Sequence, residues 1–427
     1  MNTASLPVPP SKAAARATIA LSGALLLGFI LVWLAVDGRG IGRSDFTAFY
    51  VGGTLLREGH TADLYDESAQ MPLHARLIAP DREGNLPYVD SPVAAAIVLP
   101  VTFLPLHAAY RVWSLAELVV LALAVLVAVR SAPWPEETPR VWKIAAGAMA
   151  LASLGTWATL LQAQWTPLLA LGLALAFRAW RRQQHARGAF LLVIAAAIAK
   201  PHLALALIAF MLGWRERRVI VGALAGGAAL AASAFAVVGG AGIAGFIGIV
   251  AGSTTRWDLR TMVSFVGLPG SLLGNVFAAH VAGAAGTLLA CALAFLLGAT
   301  VRRHPARLTT CVCGAAVLSL LAAPHALPHD LVMLAPAVVW GVALAMRDAP
   351  ARARRQAVMR RVAVIAGLWG LISVAAFIDF AGNSAVPPGQ LSAWALGAAA
   401  ALACVHAWRR TSLRRPAAQL SFSARAT

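Results

Sequence analysis

The chain has 427 residues, of which 60% are hydrophobic and 12% charged, and its mean hydropathy is +0.75. This composition excludes a set of two or three soluble domains and favours a single membrane-embedded unit. The net charge of +18 does not indicate nucleic-acid binding, because the basic residues punctuate apolar segments and form no stripe with interleaved aromatic residues.

Apolar runs of about 20 residues, the length that crosses a bilayer, recur along the chain. The first follows Lys12 and Arg16 and is predicted to be an uncleaved span after a cytoplasmic N-terminus, residues 1–18. Residues 19–410 are predicted to form one membrane domain, and 411–427 a basic, disordered cytoplasmic tail. Ten runs are predicted to be full spans: 19–36, 107–130, 144–161, 166–180, 219–239, 275–301, 309–323, 331–346, 362–380 and 390–408.

The basic residues orient these spans, since short cytoplasmic loops collect Lys and Arg. With the N-terminus inside, 26 of the 35 Lys and Arg residues fall inside and 12 of the 17 acids fall outside. The inverse topology puts nearly all the basic clusters on the wrong face. We therefore predict a multi-pass protein of the plasma (inner) membrane with both termini in the cytoplasm.

The first external loop, residues 37–92, is too long to be a plain connection, and nine of the 17 acids lie between 37 and 90. Phe46, Phe49, Tyr50, Gly53 and Leu56 follow helical spacing, and a second such segment covers about 62–79. Both are predicted to be amphipathic helices on or just above the membrane plane. The three prolines in 91–106 predict a broken or re-entrant element there.

Asp45 begins the first of these loop helices, directly after Ser44. Either residue has the side chain of a typical helix cap. A carboxylate held at a helix N-terminus also stays ionised, which suits a general base. The residues alone leave capping and catalysis equally open, and the two roles are compatible.

A second unusual position is Lys200, at the centre of an apolar stretch too short for two spans. Only 27 residues separate the basic ends Arg187 and Arg215, and Pro201 stops a helix between them. We predict an up-and-down pair, 187–199 and 202–214, with its apex at 199–202. A lysine inside the membrane indicates function by default, although a lysine snorkelling to the headgroups is the plainer alternative.

Other polar groups are predicted to lie on the same external side. Gln162 and Gln164 favour helix caps or tunnel lining, and Arg256 and Arg260 favour ordinary loop cations over phosphate clamps. His325, His329 and Asp330 are a weak metal signal, and a hydrogen-bonded turn lining a substrate cavity is the favoured interpretation. Glu117, inside a predicted span, is expected to face a helix contact or a tunnel.

Several of these residues, in order, resemble glycosyltransferase family 87, also known as the DUF2029 group. The pattern is Asp45-Phe46-x-x-Phe49-Tyr50-x-x-Gly53, Gly59, Leu64-Tyr65-Asp66, Tyr88-x-x-x-Pro92, Leu104-Pro105, Trp113, Gln164, Lys200-Pro201, Pro324-His325 and Asp330. It covers about residues 20–350. His202 stands where relatives often have Gln, and His329 where they often have Tyr, which leaves the substrate open more than the reaction class.

The resemblance implies an all-α GT-C-type helical bundle that performs an inverting sugar transfer from a polyprenyl-phosphate donor. The donor passes its hexosyl, mannosyl-like or pentosyl group to a glycan or lipid acceptor at the external face. It implies Asp45 as general base, with no cofactor and no divalent metal. The candidate residues for the donor phosphate or the substrate are Lys200, His202, Arg256, Arg260, His325, His329, Tyr50, Gln164 and Tyr88.

The main alternative is a transporter or flippase of lipid-linked sugars. That class predicts acids or broken helices at the midplane and a repeat relating the two halves. No convincing repeat is visible in the sequence. A non-catalytic lipid-binding subunit is a third possibility, and it predicts that Asp45→Asn leaves function intact.

Overall fold

A computed structural model describes residues 11–79, 86–252, 258–274, 276–348, 354–381 and 390–409. Every regular element in these ranges is a helix, which confirms the all-α fold class. The α-helices are α1 (Lys12–Leu34), α2 (Gly38–Gly42), α3 (Phe46–Arg57), α4 (Glu67–Ile78), α5 (Pro92–Val98), α6 (Leu106–Ser131), α7 (Arg140–Leu151), α8 (Leu154–Gln162), α9 (Thr166–Arg181), α10 (His185–Ala199), α11 (Leu205–Trp214), α12 (Arg217–Gly252), α13 (Gly267–Leu273), α14 (Phe277–Arg303), α15 (Leu308–Ala322), α16 (Ala335–Arg347), α17 (Arg354–Ala381) and α18 (Gln390–Arg409).

The helices confirm a polytopic membrane protein. In the described residues eight helical segments are long and apolar enough to cross a bilayer, and nine if α7 and α8, which meet at a 53° bend, form one span. The count is below ten because α9, at the span predicted for 166–180, has only 16 residues, fewer than the ~20 that cross a bilayer. The tail 411–427 lies outside the described residues.

The first loop contains the predicted helices, but α3 does not lie on a surface. Every residue from Phe46 to Leu56 is buried, because α3 packs against α4, α5 and the 3-10 segment Leu99–Phe103. Two glycines allow this packing: a Cβ at Gly52 would lie 2.7 Å from the Tyr88 ring, and one at Gly53 would lie 2.8 Å from Thr102. The prediction of an amphipathic surface helix was therefore wrong for α3.

The rest of the loop follows the sequence pattern more closely. α4 is a helix within the segment predicted at 62–79 and is buried on one side, but its buried residues are Gln70, Leu73 and His74, while the apolar Met71 is exposed. α5 passes directly into the 3-10 segment Leu99–Phe103, so 91–106 is broken as its prolines indicate.

The helix pair around Lys200 is also confirmed. α10 ends at Ala199, Lys200 is extended, and a 3-10 turn from Pro201 to Ala204 leads into α11. The outer ends of the pair meet, since the ring of His185 lies 5.2 Å from that of Trp214. The two arms therefore return to the same end of the molecule and leave Lys200 at the apex.

Candidate active site

Asp45 occupies the N-cap position of α3 but does not cap it. Its backbone is already helical (φ −59°, ψ −22°), and its side chain accepts no hydrogen bond from the first turn of α3. Among the described residues no backbone N–H of α3 donates to the Ser44 hydroxyl either, and this hydroxyl itself donates to the carbonyl of Ile41 at 2.7 Å. The capping interpretation of both side chains is therefore wrong.

Two glutamines hold Asp45 instead. The Gln164 side-chain amide donates to the Asp45 carboxylate, and the backbone N–H of Asp45 donates to Gln162 Oε1 at 3.0 Å. Both glutamines reach one residue because Ala163 between them ends α8 in the left-handed conformation, φ 54°. Ala163 is buried, and its carbonyl accepts the indole N–H of Trp113 at 3.1 Å, which fixes this turn.

A buried aromatic cluster supports the start of α3. The rings of Trp113 and Trp165 lie 4.7 Å apart, Phe49 lies 5.9 Å from Trp165, and Phe46 lies 6.4 Å from Trp113. These contacts join α3 to α6 and to the residue that follows Gln164. Buried packing thus supports the start of α3, where Asp45 lies, while Asp45 itself remains partly exposed.

Lys200 forms a buried ion pair with Asp330. Its ammonium lies 2.8 Å from Asp330 Oδ1 and 2.8 Å from His329 Nε2, and all three residues are buried. The other donors to Asp330 are Thr166 Oγ1 at 2.6 Å and the backbone N–H of Leu327 at 2.9 Å. Because an ammonium is a donor, His329 Nε2 accepts from Lys200, so His329 is assigned as the neutral Nδ1–H tautomer.

The charge of Lys200 also acts on Asp45 and on Asp90. Burial raises the pKa of the Asp45 carboxyl above its ordinary value, while the Gln164 hydrogen bond and the Lys200 charge oppose that rise. Burial raises the pKa of Asp90 to about 7; Lys200 lowers it, and the Asp45 and Asp330 charges raise it. Three carboxylates therefore share the field of one lysine.

Asp90 is a site candidate that the sequence analysis missed. Its carbonyl accepts the Tyr65 hydroxyl at 2.7 Å, and the neighbouring Ser91 hydroxyl donates to the carbonyl of Ile198 at 3.4 Å, two residues before Lys200. Two features of the sequence could have indicated Asp90. It lies in the same acidic loop as Asp45, and it directly precedes Ser91 and Pro92, which cap and begin α5.

Two further histidines lie at the apex. The rings of His202 and His325 are 5.8 Å apart, and both residues are partly exposed. His202 Nε2 has no hydrogen-bond partner among the described residues. Burial lowers the pKa of His325 well below its ordinary value, so at neutral pH this imidazole offers a hydrogen bond and no charge.

Three of the remaining candidate residues have hydrogen-bond partners within the protein. The Tyr50 hydroxyl donates to the carbonyl of Leu104 at 2.8 Å, and the Tyr88 hydroxyl to that of Ser91 at 2.5 Å, so both hydroxyls bond to backbone. Arg260 is exposed and pairs with Asp258 through two nitrogens, at 2.9 and 2.7 Å. Arg256 lies outside the described residues.

The site combines a partly exposed aspartate, Asp45, with neutral imidazoles and the ammonium of Lys200. Within the described ranges no group of three or more His, Cys, Asp or Glu side chains is placed to hold a metal ion. A carboxylate with a raised pKa beside hydrogen-bond donors can accept a proton from a hydroxyl while an anion forms nearby.

Comparison with known proteins identifies a family. The family model described as "Glycosyltransferase family 87" matches residues 88–324, more than half of the chain. Gln164, Lys200 and His202 lie inside the matched range, whereas Asp45 precedes it and Asp330 follows it. No curated protein and no solved structure gives a significant match.

Proposed function

The chain belongs to glycosyltransferase family 87, and on that premise we propose that it transfers a sugar from a polyprenyl-phosphate donor to a hydroxyl of a glycan or lipid acceptor. The sugar is a hexosyl, mannosyl-like or pentosyl group. We place the reaction at the external face of the plasma membrane, because the distribution of basic residues predicts that Asp45 and the Lys200 apex lie on that side.

Asp45 is the proposed general base. The observation that carries this role is its geometry: a partly exposed carboxylate that does not cap its helix and is held by Gln164 through its side chain and by Gln162 through its backbone. Burial also raises its pKa, which makes it a better proton acceptor than an ordinary aspartate.

The proposed step is a single inverting displacement. The acceptor oxygen attacks the anomeric carbon, its proton passes to Asp45, and the bond from that carbon to the phosphate oxygen breaks. The products are the glycosylated acceptor and polyprenyl phosphate, and Asp45 then returns its proton to water. The configuration inverts because attack and departure take place on opposite faces of the sugar.

The leaving phosphate is already a stable anion and needs donors more than a strong acid. An ammonium has three N–H donors, and Lys200 uses two of them for His329 and Asp330, which leaves one for the phosphate. His202, His325 and the exposed Arg260 are further candidates. In this proposal the buried Lys200–Asp330 pair chiefly fixes the apex, and the imidazoles contact the phosphate.

We further propose that the reaction needs no divalent metal, because this leaving group requires no extra activation. Transfer measured in membranes with an excess of EDTA is expected to equal transfer without it. An EDTA-sensitive rate that Mg²⁺ or Mn²⁺ restores would contradict this part of the proposal.

The function is tested by sugar transfer from defined donors. Membranes that contain the protein, and matched membranes that lack it, are incubated with a panel of radiolabelled polyprenyl-phosphate sugars, and the label is followed into lipid and glycan fractions. We expect transfer from at least one donor. Movement of a lipid-linked sugar across vesicles without transfer from any donor would instead support a flippase.

A further inference from the structure

A large crevice lies between α15, α16, α17 and α18, and its polar end lies away from the candidate active site. It encloses about 870 Å³, and most of its lining is apolar, with Val317, Val338, Ile365 and Trp369 among the residues of its walls. All four helices belong to segments apolar enough to cross a bilayer. A cavity of this size between spans is within the range of small-molecule and lipid sites.

The polar groups of the crevice are concentrated at one end. Arg360, Arg361, His406 and Asp348 line that end. Asp348 is the one carboxylate in the described lining, and it bonds to Arg347 Nε at 3.1 Å and to His406 Nε2 at 3.3 Å. Arg360 and Arg361 are exposed and share their end of the crevice with no other acid in the described lining.

The arginines at one end of the crevice indicate which class of lipid binds there. Basic pockets between spans on the cytoplasmic side recognise anionic lipid headgroups, and the segment from Arg347 to Arg361 is predicted to be cytoplasmic by its Arg content. We propose that the crevice binds an anionic phospholipid of the cytoplasmic leaflet, with its headgroup at Arg360 and Arg361 and an acyl chain along α15 and α17.

The phosphate of the proposed sugar donor does not account for the basic end of this crevice. The apolar end reaches Leu334, on the same 3-10 segment as His329 and Asp330, and α16 separates that end from Asp348. Thirteen helical residues span about 20 Å. A donor whose phosphate lies near Lys200 cannot also place it at Arg360. The binding proposal does not depend on the proposed sugar transfer.

The headgroup is tested by lipid titration of the purified full-length protein in detergent, followed by native mass spectrometry. Phosphatidylglycerol is expected to bind more tightly than phosphatidylethanolamine. In the double variant Arg360→Gln/Arg361→Gln, phosphatidylglycerol binding should weaken about tenfold, because each arginine near the surface favours an anionic lipid severalfold. The matched control is Arg302→Gln/Arg303→Gln, an exposed basic pair at the end of α14 that should bind as wild type.

The chain site is tested by Gly341→Leu. A Cβ at Gly341 meets only the Ile365 side chain, at 3.6 Å, so a longer side chain grows into the crevice without a backbone clash. This variant should fold as stably as wild type without lipid and bind less phosphatidylglycerol. Equal binding of the two phospholipids, equal loss in both arginine pairs, or displacement of phosphatidylglycerol by polyprenyl phosphate would each overturn the proposal.

Discussion

Asp45 and Asp330 lie in one electrostatic cluster, yet their surroundings differ. Asp330 is fully buried and accepts bonds from Lys200, Thr166 and the backbone of Leu327. Asp45 is partly exposed, and within the described residues its carboxylate accepts one side-chain bond, from Gln164. A buried carboxylate that accepts three bonds from the protein is committed to structure, whereas one that accepts a single side-chain bond has room for a substrate hydroxyl.

The largest expected effect is the loss of stability when Asp330 is replaced. Asp330→Ala leaves the Lys200 ammonium buried without its partner, so the protein should lose about 3–5 kcal/mol of stability. Thermal unfolding in detergent measures this loss. The double variant Lys200→Met/Asp330→Leu removes both charges and should recover most of the stability; a double variant no more stable than the single one would show that the pair is not the cause.

Gln164→Leu tests the surroundings of Asp45, because it removes the side-chain hydrogen bond to the Asp45 carboxylate. A hydrogen bond to a charged group is lost, so transfer should fall about tenfold to a hundredfold at neutral pH. The base acts when deprotonated, so the rate falls as pH drops through its pKa. Gln164 lowers that pKa, and its loss should move the acid limb of the kcat/KM profile to higher pH.

The control for this experiment is Gln184→Leu, which changes an exposed glutamine beyond the other end of α9. Its pH profile should match that of the wild type. A Gln164→Leu profile with reduced height but an unmoved acid limb would mean that Gln164 supports the fold and does not tune the base.

A smaller effect is expected where α3 meets its neighbours. A Cβ at Gly53 would lie 2.8 Å from Thr102 and 3.2 Å from the backbone nitrogen of Leu99, so Gly53→Ala should cost about 1–3 kcal/mol of stability. Gly23→Ala in α1 has open space around its Cβ and serves as the control. Equal melting temperatures for the two variants would contradict the close packing of α3.

Local chemistry made some of this architecture predictable. Pro201 and the short distance between Arg187 and Arg215 implied the break at Lys200, and the prolines of 91–106 implied the broken element there. The spacing of Phe46, Phe49 and Tyr50 predicted that α3 is a helix. Its burial depends on packing against α4, α5 and the 3-10 segment Leu99–Phe103, which the periodicity of α3 does not encode.

The partners in the site were beyond sequence reasoning for a related reason. Lys200 meets residues 129 and 130 positions along the chain, and Asp45 meets glutamines 117 and 119 positions along it. A polar pattern shows that such residues need partners without showing which ones. The crevice was missed because an apolar wall and a lipid-facing helix surface have the same composition.

The central claim, that Asp45 takes the acceptor proton, is tested most directly by the transfer rate of Asp45→Asn. The variant should fold, since Asp45 is partly exposed and makes no ion pair among the described residues, and its rate should fall by a factor of about 10²–10⁴. Asp63→Asn, an exposed acid of the same loop, is the control and should keep the wild-type rate. A folded Asp45→Asn protein that transfers sugar as fast as Asp63→Asn would contradict the claim.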